Sequence, residues 1–427
     1  MTDFSSEAVL DDLEVPAATS RTKSRDAAGV RTAARHRGLI VAGAIGAIIA
    51  VIGIVFWMMQ LSGGMVQTGM RNLDSWGLYI TMFMFFVGLS AGGLIISSIP
   101  NAFGMAGFGG ISKVAIWTSI CCTVAAIGFV IVDMGQPLRL WELFAYSNLG
   151  SPLMWDVAVL MVYLILSVVY LAFYMRYEHG KTSHAAIRVI SVIALVCAVL
   201  VHSVTAWIFG LQQGHEFWHT ALLGPWFVSS ALVCGTGLVM AVVIGLRKAG
   251  YLSLDQGYIV KMAKMLAAFI AVDLYFFGCD LLTSAFPGGS GAEVVEMLVS
   301  GPLAPFFWFE IIGCALALVV CVVPALRTNS LLVAASVVAI LGILCKRVQL
   351  LVGGFQLPNI PFANVEGPYG VTFGGNGMDA AFSQLVYMPT AIEWVVTIGV
   401  LGLAVAVVCF GLAWLNLKPA PKADDAR

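Results

Sequence analysis

The sequence predicts an all-α integral membrane protein with about ten transmembrane helices. Three observations carry this. The 427 residues are 60% hydrophobic and only 11% charged, against about 25% charged in an ordinary soluble domain. Mean hydropathy is +0.95, more apolar surface than a water-solvated core absorbs. The apolar residues also fall into ten long runs, at about 39–60, 75–99, 113–133, 153–175, 186–209, 219–246, 262–286, 303–325, 329–351 and 388–416. A bilayer core takes roughly 20 apolar residues per helix, whereas barrel strands are half as long and alternate.

The first 38 residues are polar and end in a basic run, Arg21, Lys23, Arg25, Arg31, Arg35 and Arg37. A secretory signal would place a shorter apolar stretch nearer the start. The segment therefore reads as a disordered cytoplasmic tail, and the first span as an uncleaved signal anchor. Eighteen of the 22 Lys and Arg residues then lie in the tails and alternate loops. Arg71, Arg139, Lys346 and Arg347 form the opposite set. Positive charge marks the cytoplasmic side, so both termini, including the tail 418–427, are expected in the cytoplasm of a cell membrane. The transmembrane domain covers 39–417. Its longest outer connection, 352–387, is rich in Gly, Pro and Asn and suits a cap, a docking surface or a plain loop.

Spans two and six both enter from outside and carry small-residue runs, GLSAGG at 88–93 and SSALVCGTG at 229–237. Small residues let helix backbones approach closely in lipid. The expected arrangement is two similar four-helix bundles, spans 2–5 and 6–9, flanked by spans 1 and 10.

A net charge of −1 argues against a nucleic-acid partner. The nine cysteines all lie in apolar runs without a C-x-x-C pair, and read as packing residues rather than metal ligands. Of six histidines, only His202 and His219 are placed to hold a haem. Both sit near one surface, so at most one haem fits.

Ionisable residues inside lipid are costly and mark function by default. Asp74, Asp133 and Asp156 fall at the outer ends of spans 2, 3 and 4. His202 is near the outer end of span 5 and His219 opens span 6. Glu310 lies roughly 10 Å below the outer end of span 8. Glu393 is just inside span 10, Asp280 in the outer half of span 7, and Asp273 near mid-membrane. Asp273 and Asp280 are seven apart and share a helix face. The inner half shows no comparable carboxylate, only Ser and Thr. Proton exchange on the outer side fits this asymmetry. Duller roles also suit several positions: Asp74 and Asp156 as helix caps, Asp133 with Arg139 as an ion pair, and each histidine as a hydrogen-bonding neighbour.

Several stretches carry a family likeness in order: WGLYITMFMFFVGLSAGG (76–93), DMGQPLRLW (133–141), SPLMWD (151–156), VHSVT (201–205), FWHTALLGPWFVSSA (217–231) and YMPTAIEW (387–394). Together, over about 70–415, they resemble the NrfD / polysulfide reductase membrane-subunit family in its longer, ten-helix branch. Gln136 departs from the family pattern D-x-G-R-P, which carries a basic residue there.

The resemblance implies the membrane anchor of a respiratory oxidoreductase complex. It would oxidise quinol, or reduce quinone, near the outer face, and exchange electrons with a ferredoxin-like iron–sulfur subunit. Catalysis would lie in a molybdopterin subunit or a multihaem cytochrome c. The cofactor would be a quinone, menaquinone or ubiquinone, with no haem or iron–sulfur cluster in this chain. Whether the chain is itself quinone-reactive or non-catalytic stays open, as do electron direction and proton translocation.

His202, His219 and Asp133 are the expected catalytic residues, because imidazole and carboxylate exchange protons near neutral pH. Arg71, Asn72, Asp74, Trp76, Tyr79, Arg139 and Trp218 would form the quinone pocket. Asp156, Asp273, Asp280, Glu310 and Glu393 would form a proton path. A secondary transporter is the alternative; it requires broken helices near mid-membrane. A haem b protein is the third reading.

Overall fold

Hydropathy translates directly into helices. A computed structural model of the chain describes residues 18–71, 74–103, 109–215, 217–252, 254–356, 387–415 and 417. Among the described residues lie twelve α-helices: α1 (Ala18–Gly63), α2 (Leu78–Phe103), α3 (Gly109–Asp133), α4 (Glu142–Ala145), α5 (Pro152–Glu178), α6 (His184–Gly210), α7 (Leu223–Lys248), α8 (Gln256–Ala285), α9 (Ser290–Val299), α10 (Ala304–Val322), α11 (Asn329–Gln356) and α12 (Ala391–Trp414). All but α4 and α9 are long and apolar enough to span a bilayer, so each of the ten predicted spans has its helix. Those ten spans run without a mid-membrane break.

α1 starts at Ala18, so helix extends into the part of the tail expected to lack regular structure. Residues 1–17, most of the outer connection (357–386) and the C-terminal tail (418–427) lie outside the described residues. α11 continues to Gln356, five residues past the expected end of its span.

Helix ends follow local chemistry. Ser183 and Asp255 cap α6 and α8 by accepting backbone N–H bonds. α12 opens with a capping box, Thr390 paired with Glu393. Pro152 and Pro305 sit in the first turns of α5 and α10, where a missing N–H costs nothing.

α2, α3, α5 and α6 pack around one another in a ring, and α7, α8, α10 and α11 do the same. α2 joins the rings by packing on both α7 and α11, while α1 lies along α12, which rests on α3. The two small-residue runs meet at the join. A Cβ placed on Gly235 would fall 2.3 Å from the Gly92 Cα, and one on Gly92 only 2.1 Å from the Ala231 carbonyl oxygen. Only glycine permits this approach, and lipid offers no hydrophobic drive to replace the lost backbone packing. Gly53 and Gly399 make the equivalent crossing of α1 and α12.

Ten crossings place the start of α1 and the end of α12 on one face, the face of the termini. The cavities among α2–α6 and among α7–α11, and most buried carboxylates, lie toward the opposite face.

Gly235→Val should lower the stability of the purified protein by about 1–3 kcal/mol or more, read as a lower thermal midpoint in detergent. Gly245→Ala, on the same helix but facing open space, should leave that midpoint unchanged.

Candidate functional site

A buried charge cluster lies in the second ring. α11 brings Lys346 between Asp273 of α8 and Glu310 of α10. Its ammonium donates to Asp273 Oδ2 and lies 3.1 Å from Glu310 Oε1. Ser229 of α7 donates to Asp273 Oδ1 at 2.9 Å, and Gln349 Nε2 donates to Glu310 Oε2 at 2.8 Å. All three charged side chains are almost wholly buried. Trp226 and Phe277 present ring faces to the ammonium at 4.6 and 5.4 Å.

The next residue, Arg347, points the other way, toward the first ring. Its guanidinium donates to Ser230 Oγ at 2.6 Å, sits 3.1 Å from His202 Nε2 and lies 3.8 Å above the Phe227 ring. Thus two cations and two carboxylates balance inside the membrane, with His202 at the seam between rings.

Two cavities flank this seam. A polar one of about 200 Å³ is bounded by α7, α8, α9, α10 and α11. His219, Thr220 and Asp280 line it along with Glu310, Lys346 and Gln349, so it joins the exposed loop before α7 to the charge cluster. The other, of about 330 Å³, is enclosed by α2, α3, α5, α6 and the α4 region. Its lining is almost entirely apolar, with Trp76, Phe83, Leu160 and Phe209 prominent. Among the described residues its ionisable groups are Asp133 and Asp156. Asp156 is buried and accepts from Thr205 Oγ1 at 2.5 Å. Asp133 is half-buried, and its shielded Oδ1 has no hydrogen-bond partner. Mostly apolar walls with a few placed polar groups are the usual form of a small-molecule site.

The expected catalytic trio is therefore not brought into one cavity. Asp133 lines the apolar cavity and His219 the polar one, while His202 is sealed between them against Arg347. His219 precedes α7 rather than opening it; the ring is exposed, with Nδ1 3.2 Å from the Gly210 carbonyl oxygen. Of the expected quinone-pocket residues, Trp76 lines the apolar cavity, edge-on to Phe209. Tyr79 instead turns to α1 and donates to Gln60 Oε1 at 2.7 Å. Trp218 packs on α11, donating to the Leu350 carbonyl at 2.7 Å. Arg71 folds back on the carbonyls of Thr68 and Met70. Asn72 lies outside the described residues.

Arg139 corrects another expectation. It forms no pair with Asp133 but a two-pronged exposed pair with Glu142, at 2.8 and 2.7 Å, which raises its pKa. The turn at Pro137–Arg139 directs it into α4, three residues from its partner. Asp74 caps no helix, since α2 starts four residues later; burial holds its carboxyl above the usual range. Asp156 is the fifth residue of α5, past any cap position.

Of the expected proton path, Asp273, Asp280 and Glu310 gather at the polar cavity, while Asp156 belongs to the apolar one. Glu393 is apart from both. It ties α12 to the segment before α2, accepting from Gly69 N at 2.7 Å, Thr390 N at 2.9 Å and the Tyr387 hydroxyl. The Tyr387 hydroxyl in turn accepts from Leu78 N at 2.7 Å. Burial first, then Glu393, push the Tyr387 phenol well above its ordinary pKa.

Lys346, Arg347 and Gln349 are the residues that sequence reasoning missed. The charge pattern puts Lys346 and Arg347 in the outer set, at the end of a span expected to stop at 351, but α11 runs on to Gln356 and buries both. Taking them out leaves Arg71 and Arg139 opposite the other 18 cations. A signal for this exists: the run QLLVGGF at 349–355 stays apolar beyond them, so the span need not stop there.

Comparison with known proteins agrees with this architecture. The family model described as "Polysulphide reductase, NrfD" matches residues 66–359. A putative dimethyl sulfoxide reductase membrane subunit of Halobacterium salinarum is 33% identical over 404 residues, 89% of this chain and 91% of its own. A selenate reductase subunit of Mesobacillus selenatarsenatis is 26% identical, over 84% of this chain and 89% of its own. An Hdr-like menaquinol oxidoreductase integral membrane subunit of Archaeoglobus fulgidus is 24% identical, over 88% and 93%.

Lys346→Met should cost about 3–5 kcal/mol, because Asp273 and Glu310 lose their counter-charge; thermal melting of the purified protein measures it. Adding Asp273→Asn and Glu310→Gln should recover much of the loss.

Proposed function

This chain belongs to the polysulphide reductase NrfD family, and from that membership we propose that it anchors a respiratory oxidoreductase complex in the membrane. It exchanges electrons between a membrane quinone and an external ferredoxin-like iron–sulfur subunit, with a molybdopterin or multihaem catalytic partner beyond. Both termini face the cytoplasm, so the two cavities lie toward the outer side. Relatives named as subunits of a dimethyl sulfoxide reductase, a selenate reductase and a menaquinol oxidoreductase support the role.

The observation that carries the quinone reading is the apolar cavity with its two carboxylates. A quinone has an apolar ring and tail and two oxygens that exchange protons as it is reduced or oxidised. The residues present fit it: the Asp133 Oδ1 is shielded and unpartnered, and Asp156 is held by one hydroxyl. Asp133 and Asp156 hold or release the protons, Trp76 and Phe209 flank the ring, and the surrounding aliphatic side chains exclude water. Electron exchange with the external partner takes place at the outer end of α3 and α5, near α4.

The polar cavity serves as a second proton path. His219 and Asp280 stand at its mouth, and Glu310, Lys346 and Asp273 at its floor. His202 acts there through Arg347, as a positioning residue at the seam.

The first test is purification of the native complex from membranes with its subunits identified. An iron–sulfur protein that copurifies with quinol-linked activity is expected; isolation of the chain alone, with solute transport in liposomes, would overturn the reading. Within the complex, Leu160→Trp fills the apolar cavity. It should abolish quinol-linked turnover while artificial-dye reduction by the partner subunits persists. His219→Ala should slow quinol-linked turnover less than Asp133→Asn does, because His219 is outside that cavity.

A further inference from the structure

The half of the first ring toward the termini contains a column of polar side chains that the reading above does not use. Its upper rung joins three helices at mid-membrane. Ser90 of α2 lies 2.6 Å from Thr123 Oγ1 and 3.0 Å from Ser119 Oγ of α3, and donates to the Tyr163 hydroxyl of α5 at 3.1 Å. Ser119 Oγ and the Tyr163 hydroxyl are 2.7 Å apart. A second rung centres on Tyr170 of α5, whose hydroxyl accepts from Ser191 of α6 at 3.0 Å and from Asn101 of α2 at 3.1 Å. Below it Tyr174 hydrogen-bonds with Ser112, and Lys113 pairs with Glu178 at 2.5 Å. These last two side chains are only 3% and 13% exposed, at the ends of α3 and α5 nearest the termini.

The column is aligned with the apolar cavity. On α3, Thr123 is one turn from the cavity-lining Ile127. On α5, Tyr163 is three residues from the cavity-lining Leu160. At 1.5 Å per residue the upper rung sits roughly 5 Å beneath the cavity floor. From there α5 carries Tyr163, Tyr170, Tyr174 and Glu178 at intervals of seven, four and four residues. The longest gap, between Tyr163 and Tyr170, spans roughly 10 Å and holds the buried hydroxyl of Ser167, which donates to the Tyr163 carbonyl.

Interhelical hydroxyl bonds also serve as glue in lipid. Glue, however, explains neither the continuation through three successive helical levels nor the termination at a carboxylate. A neutral hydroxyl donates and accepts at once, so a chain of them passes a proton without holding charge in the low-dielectric interior.

The geometry points to a proton route from the face of the termini to the floor of the apolar cavity, built from Glu178, Tyr174, Tyr170, Tyr163 and Ser90 with their hydroxyl partners, water bridging each of the gaps between its levels. It deepens the quinone reading and rests on it. In the reducing direction, two electrons arrive from the external iron–sulfur or haem partner and two protons rise along the column, together converting one quinone to one quinol; oxidation reverses both flows. Electrons and protons then come from opposite faces, and turnover separates charge across the membrane.

Right-side-out membrane vesicles loaded with a pH-sensitive dye test this in the intact complex. A separate readout is binding of the fluorescent quinol analogue 2-heptyl-4-hydroxyquinoline N-oxide to the resting complex. In the wild type, the enclosed pH should change in step with quinone-linked turnover. Tyr163→Phe removes one hydroxyl and should slow turnover and that pH change by on the order of a hundredfold, with N-oxide binding unaltered. Should that variant fail to assemble, Ser90→Ala carries the same expectation. Thr118→Ala, whose hydroxyl bonds within its own helix, to the Val114 carbonyl, should change neither readout. A flat enclosed pH with protons exchanged only outside, or normal turnover in both ladder variants, overturns the proposal. Absence of N-oxide binding in the wild type would instead sink the quinone reading, and this route with it.

Discussion

A lysine ammonium held between two carboxylates in the middle of a membrane is the constraint on which the second ring depends. Lys346, Asp273 and Glu310 come from three helices, and each would cost several kcal/mol if left alone in hydrocarbon. Their pairing fixes the rotation and depth of α8, α10 and α11 together. Arg347 extends the constraint. Because it follows Lys346 directly on α11, satisfying one cation in the second ring turns the other toward Ser230 and His202. The rings are thus locked electrostatically at the level where Gly92 and Gly235 lock them sterically.

That seam separates two environments suited to different chemistry. On one side, aromatic and aliphatic walls enclose Asp133 and Asp156 in a cavity that is otherwise apolar. On the other, a polar cavity lets the exposed loop before α7 reach the charge cluster. The membrane makes this separation effective, because in a low dielectric even a short apolar stretch is a barrier to charge.

Much of this was legible in the chain. All ten spans were, because crossing a bilayer requires some 20 consecutive apolar residues and leaves a signal within one window of sequence. The α2–α7 contact was also foreshadowed, since GLSAGG and SSALVCGTG advertise close backbone approach. Asp273 stood out for its depth. Other side chains took partners that the sequence did not single out, for a common reason: the partner was distant in sequence or the competing partner was nearer. Arg139 chose Glu142, three residues on, over Asp133. Glu393 was taken up by a cap and by Tyr387, and Tyr79 by Gln60 on another helix.

The sequence by itself therefore determined the class of solvent, the number of helices and the family, since each is a property of composition or of short runs read in order. Only the tertiary structure decided which partners Lys346 and Arg347 take up, that His202 and His219 part company, and that the hydroxyls of three helices line up beneath one cavity. Those outcomes depend on helix rotation and on pairs more than a hundred residues apart, such as His202 with Arg347, and no local pattern encodes such a pairing.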